Sequence, residues 1–215
     1  MCGKDEVMSE IKERPILFSA PMVRAILEGQ KTVTRRAVKD LERGSSYQGL
    51  EKDGQHLFAK GYAYGKIKCP YGQPGDRLWV REAWQADAQV NAIAPRELSH
   101  GEPIQYPADG ASRQTGCSMI TPGKTRPSIH MPRWVSRLLL EITAVRVERL
   151  QDISRSDIRA EGLECPPELA SDDVSPNYRD WYPAAWQELW ESINGADSWH
   201  SNPWVWVVEF KPVTP

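Results

Sequence analysis

Apolar and polar positions along the chain fall into short blocks with different periods. Pro15-Ile16-Leu17-Phe18-Ser19 is a brief apolar run and predicts a buried strand. Pro21 follows at the place where proline suits the first turn of a helix. Met22, Val23, Ile26 and Leu27 then recur at helical spacing, and Gly29 stops the repeat. The pattern predicts a short helix over 19–28, with Lys31 emerging just past its end. Residues 32–38 are rich in β-branched side chains and predict a strand on which Thr34 and Arg36 share a face. Residues 39–76 are rich in Gly, Lys, Gln and Tyr and read as a long loop or hairpin. Pro74-Gly75-Asp76 is a turn that hands over to a strand at 77–84.

Residues 85–127 hold few periodic apolar positions and many Pro, Gly, Ser and Gln, which predicts an irregular, partly mobile insertion. Strong alternation returns at 137–150 and predicts a long strand. Ser154 is placed to cap a short helix over 155–160 that stops near Gly162. A loop rich in Pro, Ser and Asp at 164–176 precedes the best helical pattern, 177–193. Its apolar face carries Trp181, Ala185, Trp186, Leu189, Trp190 and Ile193, and Asn194-Gly195 ends it. A last apolar run, 203–211, predicts a strand. The strands are not separated by regular helices, so a doubly wound parallel sheet does not fit. The order predicts an α+β fold, a small mixed barrel with helices plugging its ends. The expected organisation is a flexible segment at 1–13 and one domain over 14–215, with insertions at about 39–76 and 85–127.

Composition narrows the function classes. Apolar residues are 40% and charged residues 26%, enough for a packed core. The formal net charge of −2 argues against coating long duplexes by phosphate neutralisation. It leaves room for a local basic pocket and a small substrate. No apolar run approaches the roughly 20 residues that span a bilayer. The first residues are polar, without the apolar stretch of a signal peptide, and Cys2 stands where a myristoylated chain has Gly. The expected location is the cytoplasm. Cys2, Cys69, Cys117 and Cys165 are widely spaced, which does not suit a secreted disulfide framework. Zinc held by Cys69, Cys165 and His130 would lack the usual closely spaced ligand pairs, and no metal or cofactor is expected.

The candidate chemistry lies in Lys31, Thr34, Arg35 and Arg36. A threonine hydroxyl needs a base to become a nucleophile. A lysine can serve if burial or neighbouring cations lower its pKa, and Arg35 and Arg36 supply such charge. Lys31 and Thr34 would point to opposite faces of a regular strand, so Lys31 must lie in the turn after Gly29 for the two to meet. Acid–base work on a leaving group needs a carboxylate. Glu161, at a helix end just before Gly162, is the first candidate and Glu82, flanked by Arg81 and Trp84, the second. The plainer alternative is a solvated edge strand and a surface glutamate.

The run Gly29-x-Lys31-x-x-Thr34-x-Arg36 resembles the signature of the ASCH family within the PUA-like superfamily. The lead-in from Pro15 to Gly29 is similar to that of bacteriophage and prophage members. So are Pro74-Gly75-Asp76-Arg77-Leu78-Trp79-Val80-Arg81-Glu82, Pro127-Ser128-Ile129-His130-Met131-Pro132-Arg133-Trp134 and Asn202-Pro203-Trp204-Val205-Trp206-Val207. The resemblance implies a PUA-like barrel and, from small bacterial members, an amidohydrolase that removes the acetyl group from N4-acetylcytidine. It implies Thr34 as nucleophile, Lys31 as its activator and Glu161 as proton shuttle, with Arg36 or a backbone N–H near Gly29 as an oxyanion donor. The partner implied is a modified nucleoside or single-stranded nucleic acid. Two other activities occur on such folds: RNA or modified-base binding without chemistry, and RNA cleavage. This chain is about twice as long as the small enzymes, and its insertions leave the substrate open.

Nine tryptophans is a high number for 215 residues, so most of them must pack. Trp84 and Trp134 border motif blocks and are the candidates for stacking on a base. Trp79 reads equally as strand core. Trp181, Trp186 and Trp190 read as core packing on the long helix, and Trp204 and Trp206 as buried strand residues. His130 reads as a substrate contact or a structural histidine.

Overall fold

Gly29 sets the geometry of the first turn of chain. In the computed structural model, which describes residues 10–38, 46–50, 55–60, 63–114, 116, 118–165 and 181–213, its φ is +76°. That left-handed conformation ends helix α1 (Ala20–Leu27), entered from Ser19 with Pro21 in its first turn. The amides of Gln30 and Lys31 both donate to the Ala25 carbonyl, at 2.8 and 2.9 Å. The chain therefore folds back under the helix instead of running on.

Strand β1 (Glu13–Leu17) precedes α1, and β2 (Val33–Ala37) follows it. The 39–76 segment contains more order than a loop or single hairpin. Strands β3 (Ser46–Leu50), β4 (Gln55–Lys60) and β5 (Ala63–Lys68) pair antiparallel as a three-stranded sheet. Strand β6 (Arg77–Arg81) is shorter than expected. After Glu82 the chain leaves the sheet to bridge Arg126 from Trp84.

The 85–127 insertion is built from short 3-10 turns and a two-stranded ribbon of β7 (Ile104–Gln105) and β8 (Ser112–Arg113). It has a buried cluster of its own, formed by Trp84, Ala86, Leu98, Ile104 and Tyr106 with Met131 and Val135. Its apolar side chains come from short segments far apart in the chain, so no long periodic run marks the core. Asp87 organises the insertion by accepting from the amides of Gln89, Ile120 and Thr121 at 3.0, 2.7 and 3.2 Å. These bonds, that of Gln89 first, hold its carboxyl below the ordinary value of 3.8. The insertion is expected to lose stability as pH falls through that depressed value, and to keep it above 3.8. Amide exchange of 120–121, followed from pH 5 to pH 2.5 against Asp87→Asn, should show protection that falls with acid only in the parent chain.

Strand β9 (Leu139–Arg149) leads to α2 (Arg155–Ala160), where the Ser154 side chain accepts from the Asp157 amide at 3.1 Å as a helix cap. Helix α3 (Trp181–Asn194) and β10 (Trp204–Val213) complete the described chain. Residues 1–9 of the segment expected to be flexible, most of the 164–176 loop and the expected first turn of the long helix lie outside the described residues.

The main sheet has the order β1-β6-β9-β10-β2, with β1 parallel to β6 and the other pairs antiparallel. The fold is α+β, as expected, but the described strands form no closed barrel. β1 and β2 are the sheet's edges, tied by Arg36, whose Nη2 donates to the Leu17 carbonyl at 2.6 Å. The sheet is buried on both faces. Phe18, Val23, Ile26, Trp206, Val208 and Phe210 belong to the α1 side. Val33, Val205, Val207, Ile158, Trp186 and Trp190 belong to the side of α2 and α3. This explains why β10 reads as an unbroken apolar run. Among the described residues, no helix is long and apolar enough to cross a membrane.

Candidate active site around Lys31 and Glu161

The fold-back after Gly29 puts Lys31 at the head of β2, 1% exposed. Its Nζ donates to the Glu161 carboxylate at 2.6 Å, the Val33 carbonyl at 2.8 Å and the Glu161 carbonyl at 2.9 Å. Three acceptors match the three N–H groups of an ammonium. Glu161 is 4% exposed and closes the C-terminus of α2. Its backbone bridges Lys31, and the amide of Thr32 donates to the Ala160 carbonyl at 2.8 Å. The pair is thus fastened through main chain as well as charge. Burial lowers the Lys31 pKa below 10.5; Glu161 pulls it back up, and Arg36 and Arg35 push it further down.

Arg35 lies on the opposite face of β2 from Thr34 and Arg36. It donates to Asp157 at 2.5 Å, Glu148 at 3.0 Å and Glu161 at 3.5 Å. Arg146 on β9 bonds the same Glu148 and Asp157 at 2.5 and 2.7 Å and also pairs with Glu209. Arg35, a candidate substrate contact by its place beside Thr34, lines the cleft, but carboxylates of β9 and α2 occupy both of its Nη groups and it braces Glu161. Arg36 leans on the Phe18 ring, 5.4 Å from its centroid.

Thr34 is 2% exposed and lines a narrow cleft, with about 30 Å³ of accessible space, together with Arg35, Arg36, Glu161, Trp186 and Trp190. The structure thus brings Thr34 and Glu161 to one cavity. It does not make Lys31 a hydrogen-bond partner of Thr34, because the lysine's three donors are spent on Val33 and Glu161. An ammonium so bound has no lone pair with which to take a proton. Glu161 lines the cleft, and Lys31 holds its carboxylate in place.

The remaining candidates go elsewhere. Glu82 is 1% exposed and paired with Arg137 at 2.9 and 3.0 Å. Arg137 also binds Asp109 and lies 4.1 Å from the Tyr106 ring centre, so Glu82 belongs to a brace under the insertion and not to the cleft. Burial raises its pKa, and Arg137 opposes that. Trp84 is 0% exposed, with Arg126 over its ring, so it offers no face to a base. Trp134 is half-buried, stacked on His100 with centroids 5.0 Å apart, with Arg113 5.7 Å from its ring centre. It keeps a partly open face, but outside the cleft. His130 is exposed on a short 3-10 turn and is not in the cleft lining. Cys69 is buried in the α1-side core, where burial pushes its thiol up to about 11. Cys165 packs against the α3-side cluster, so the two do not converge with His130. Among the described residues, no three His, Cys, Asp or Glu side chains gather as a metal site.

Sequence reasoning missed Arg146, Glu148 and Asp157. Arg146 and Glu148 share one face of an otherwise apolar strand, and that is the signal that was available. It also placed Trp186 and Trp190 only in the core, whereas both border the cleft. No family model, curated protein or solved structure matches this chain.

Proposed function

We propose that the chain is an ASCH-type amidohydrolase that removes the acyl group from N4-acylated cytosine. In this reading the open sheet, with its edges tied by Arg36, is a PUA-like barrel. The observation that carries the reading is the buried Lys31–Glu161 pair, 2.6 Å apart, of which Glu161 lines one cleft together with Thr34. These are the three positions that the signature resemblance marks.

The Thr34 hydroxyl attacks the acyl carbon, and its proton passes to Glu161. The tetrahedral oxyanion needs fixed donors, and the cleft's N–H groups are available. Collapse breaks the C–N bond as Glu161 returns the proton to the departing N4 amine. Water then attacks the threonine ester, Glu161 takes and returns a proton again, and the carboxylic acid leaves. Overall, one water and one amide give one acid and one amine. Lys31 keeps Glu161 from drifting and spreads its charge.

Incubation of the pure protein with N4-acetylcytidine should yield cytidine and acetate in equal amounts by chromatography. Thr34→Val keeps the shape and removes the hydroxyl, and turnover is expected to fall at least about 100-fold. Unchanged turnover in that variant would remove Thr34 from the chemistry. Absence of turnover in the parent chain, with salt-sensitive RNA affinity, would instead favour a binding module.

A further inference from the structure

One hydrogen bond locates a carboxylate but leaves it free to turn, whereas a bond to each oxygen fixes its plane. For Glu161 the first bond runs from Lys31 Nζ to Oε2 at 2.6 Å. It is secure, because the carbonyls of Val33 and Glu161 pin the lysine as well. The second bond runs from Arg35 Nη1 to Oε1 at 3.5 Å, and among the described residues Oε1 has no other partner. The plane of the Glu161 carboxylate therefore depends on where the Arg35 guanidinium is held.

A guanidinium is a rigid planar fork, so whatever holds Nη2 also aims Nη1. Two acids hold Nη2, Asp157 at 2.5 Å and Glu148 at 3.0 Å. They pull from different elements. Glu148 stands on β9, and its other oxygen is taken by Nε of Arg146. Asp157 stands on α2, four residues before Glu161, the spacing that puts two side chains on one helix face. The Glu161 amide donates to the Asp157 carbonyl at 2.9 Å, so the helical turn between them is closed. Both prongs of Arg35 thus meet acids one turn apart on the same helix. Asp157 is itself set at two points: its amide donates to the Ser154 hydroxyl at 3.1 Å, and its carboxylate accepts from Nη2 of Arg146 at 2.7 Å. The Arg35 side chain is fully buried, so these acids, and not solvent, decide where it lies. Asp157 is not in the cleft lining.

We propose that Asp157 is a positioning residue: acting through Arg35, it keeps Oε1 of Glu161 tied and holds the carboxylate in the plane from which it moves a proton. The assignment rests on the hydrolase reading above, in which Glu161 carries that proton. Glu148 does not share the role. With Asp157 uncharged, Glu148 draws the fork toward β9 and Nη1 leaves Glu161. With Glu148 uncharged, Asp157 keeps the fork on α2 and the contact survives.

The test compares Asp157→Asn with Glu148→Gln, which remove one charge each from the same prong and keep the side-chain shape. Turnover of N4-acetylcytidine and crystal structures of the parent chain and both variants are the two readings. Asp157→Asn should lower kcat about tenfold with KM within about twofold, and open the Arg35–Glu161 contact beyond about 4 Å. Glu148→Gln should lower kcat by less than about threefold and leave the contact closed. Equal losses in the two variants, a change confined to KM, or a contact that stays closed in Asp157→Asn overturns the proposal. Should Asp157→Asn fail to fold, Asp157→Glu takes its place: it keeps the charge, but its longer arm displaces the fork, and the same loss and the same opening are expected. If the parent chain does not turn the substrate over, the hydrolase reading falls and the crystal structures decide alone. A contact opened only in the Asp157 variant then keeps the positioning role, and a closed one removes it too.

Discussion

Lys31→Ala is expected to remove hydrolysis and to destabilise the fold by about 3–5 kcal/mol, because it strands a carboxylate that is almost fully buried. Among the described residues Glu161 would retain only Arg35, whose Nη1 is 3.5 Å away and whose Nη2 serves two other acids. Its position would loosen. Glu161→Gln should cost less, since an amide can still accept from Nζ and carries no charge to bury. The double variant Lys31→Met with Glu161→Gln should be more stable than the sum of the single losses, with a coupling of about 1–3 kcal/mol. Urea denaturation of the four chains checks this. Strict additivity would mean that the two side chains are not a coupled pair.

The second large effect is expected at Gly162. Its φ of +88° lies where L side chains are strained. A Cβ there would sit 2.8 Å from the Cβ of Ala25 and 3.2 Å from that of Lys31. Neither neighbour can swing away: Ala25 is in the middle of α1, and Lys31 is fixed at three points. Gly162→Ala should therefore cost about 2–4 kcal/mol, combining left-handed strain with overpacking. It should also push Lys31 away from Glu161 and reduce kcat with less effect on KM. Gly195→Ala is the control. Its φ is also positive, at +96°, but its Cβ would meet open space, so only the backbone strain should appear.

What the sequence disclosed depended on range. Helix 155–160 and its Ser154 cap could be read because a cap, a short helical segment and a stopping glycine lie close together in the chain, from Ser154 to Gly162. The path of Lys31 could be read for a similar reason: Gly29 and the odd spacing to Thr34 required a turn. The partners of Arg35 could not be read, because they come from β9 and α2, more than 100 residues away, and an arginine on a strand carries no mark of what will face it. Trp84 was misread because most of the residues that share its buried cluster, from Leu98 to Val135, lie far along the chain, so a fully buried ring looked like a free one. On α3 the predicted face was nearly right. Tyr182, Trp186 and Trp190 form its buried line, while Ile193 is 50% exposed beside the cleft. The helix pattern gives a stripe, but the end of the underlying sheet decides where that stripe stops being covered.

The strand that carries Thr34 has a single partner in the sheet. β2 pairs with β10, in register from Val33 opposite Glu209 to Ala37 opposite Val205, and Lys31 meets Glu161 across 130 residues. During synthesis, residues 31–36 leave the ribosome early and must wait for residues 204–213 before they have a place to dock. Closing so long a loop makes their docking slow. Activity should thus appear abruptly with the emergence of β10 and lag behind the formation of the local hairpin of β4 and β5. Until then, three basic residues and a bare strand edge are open to whatever the cell presents.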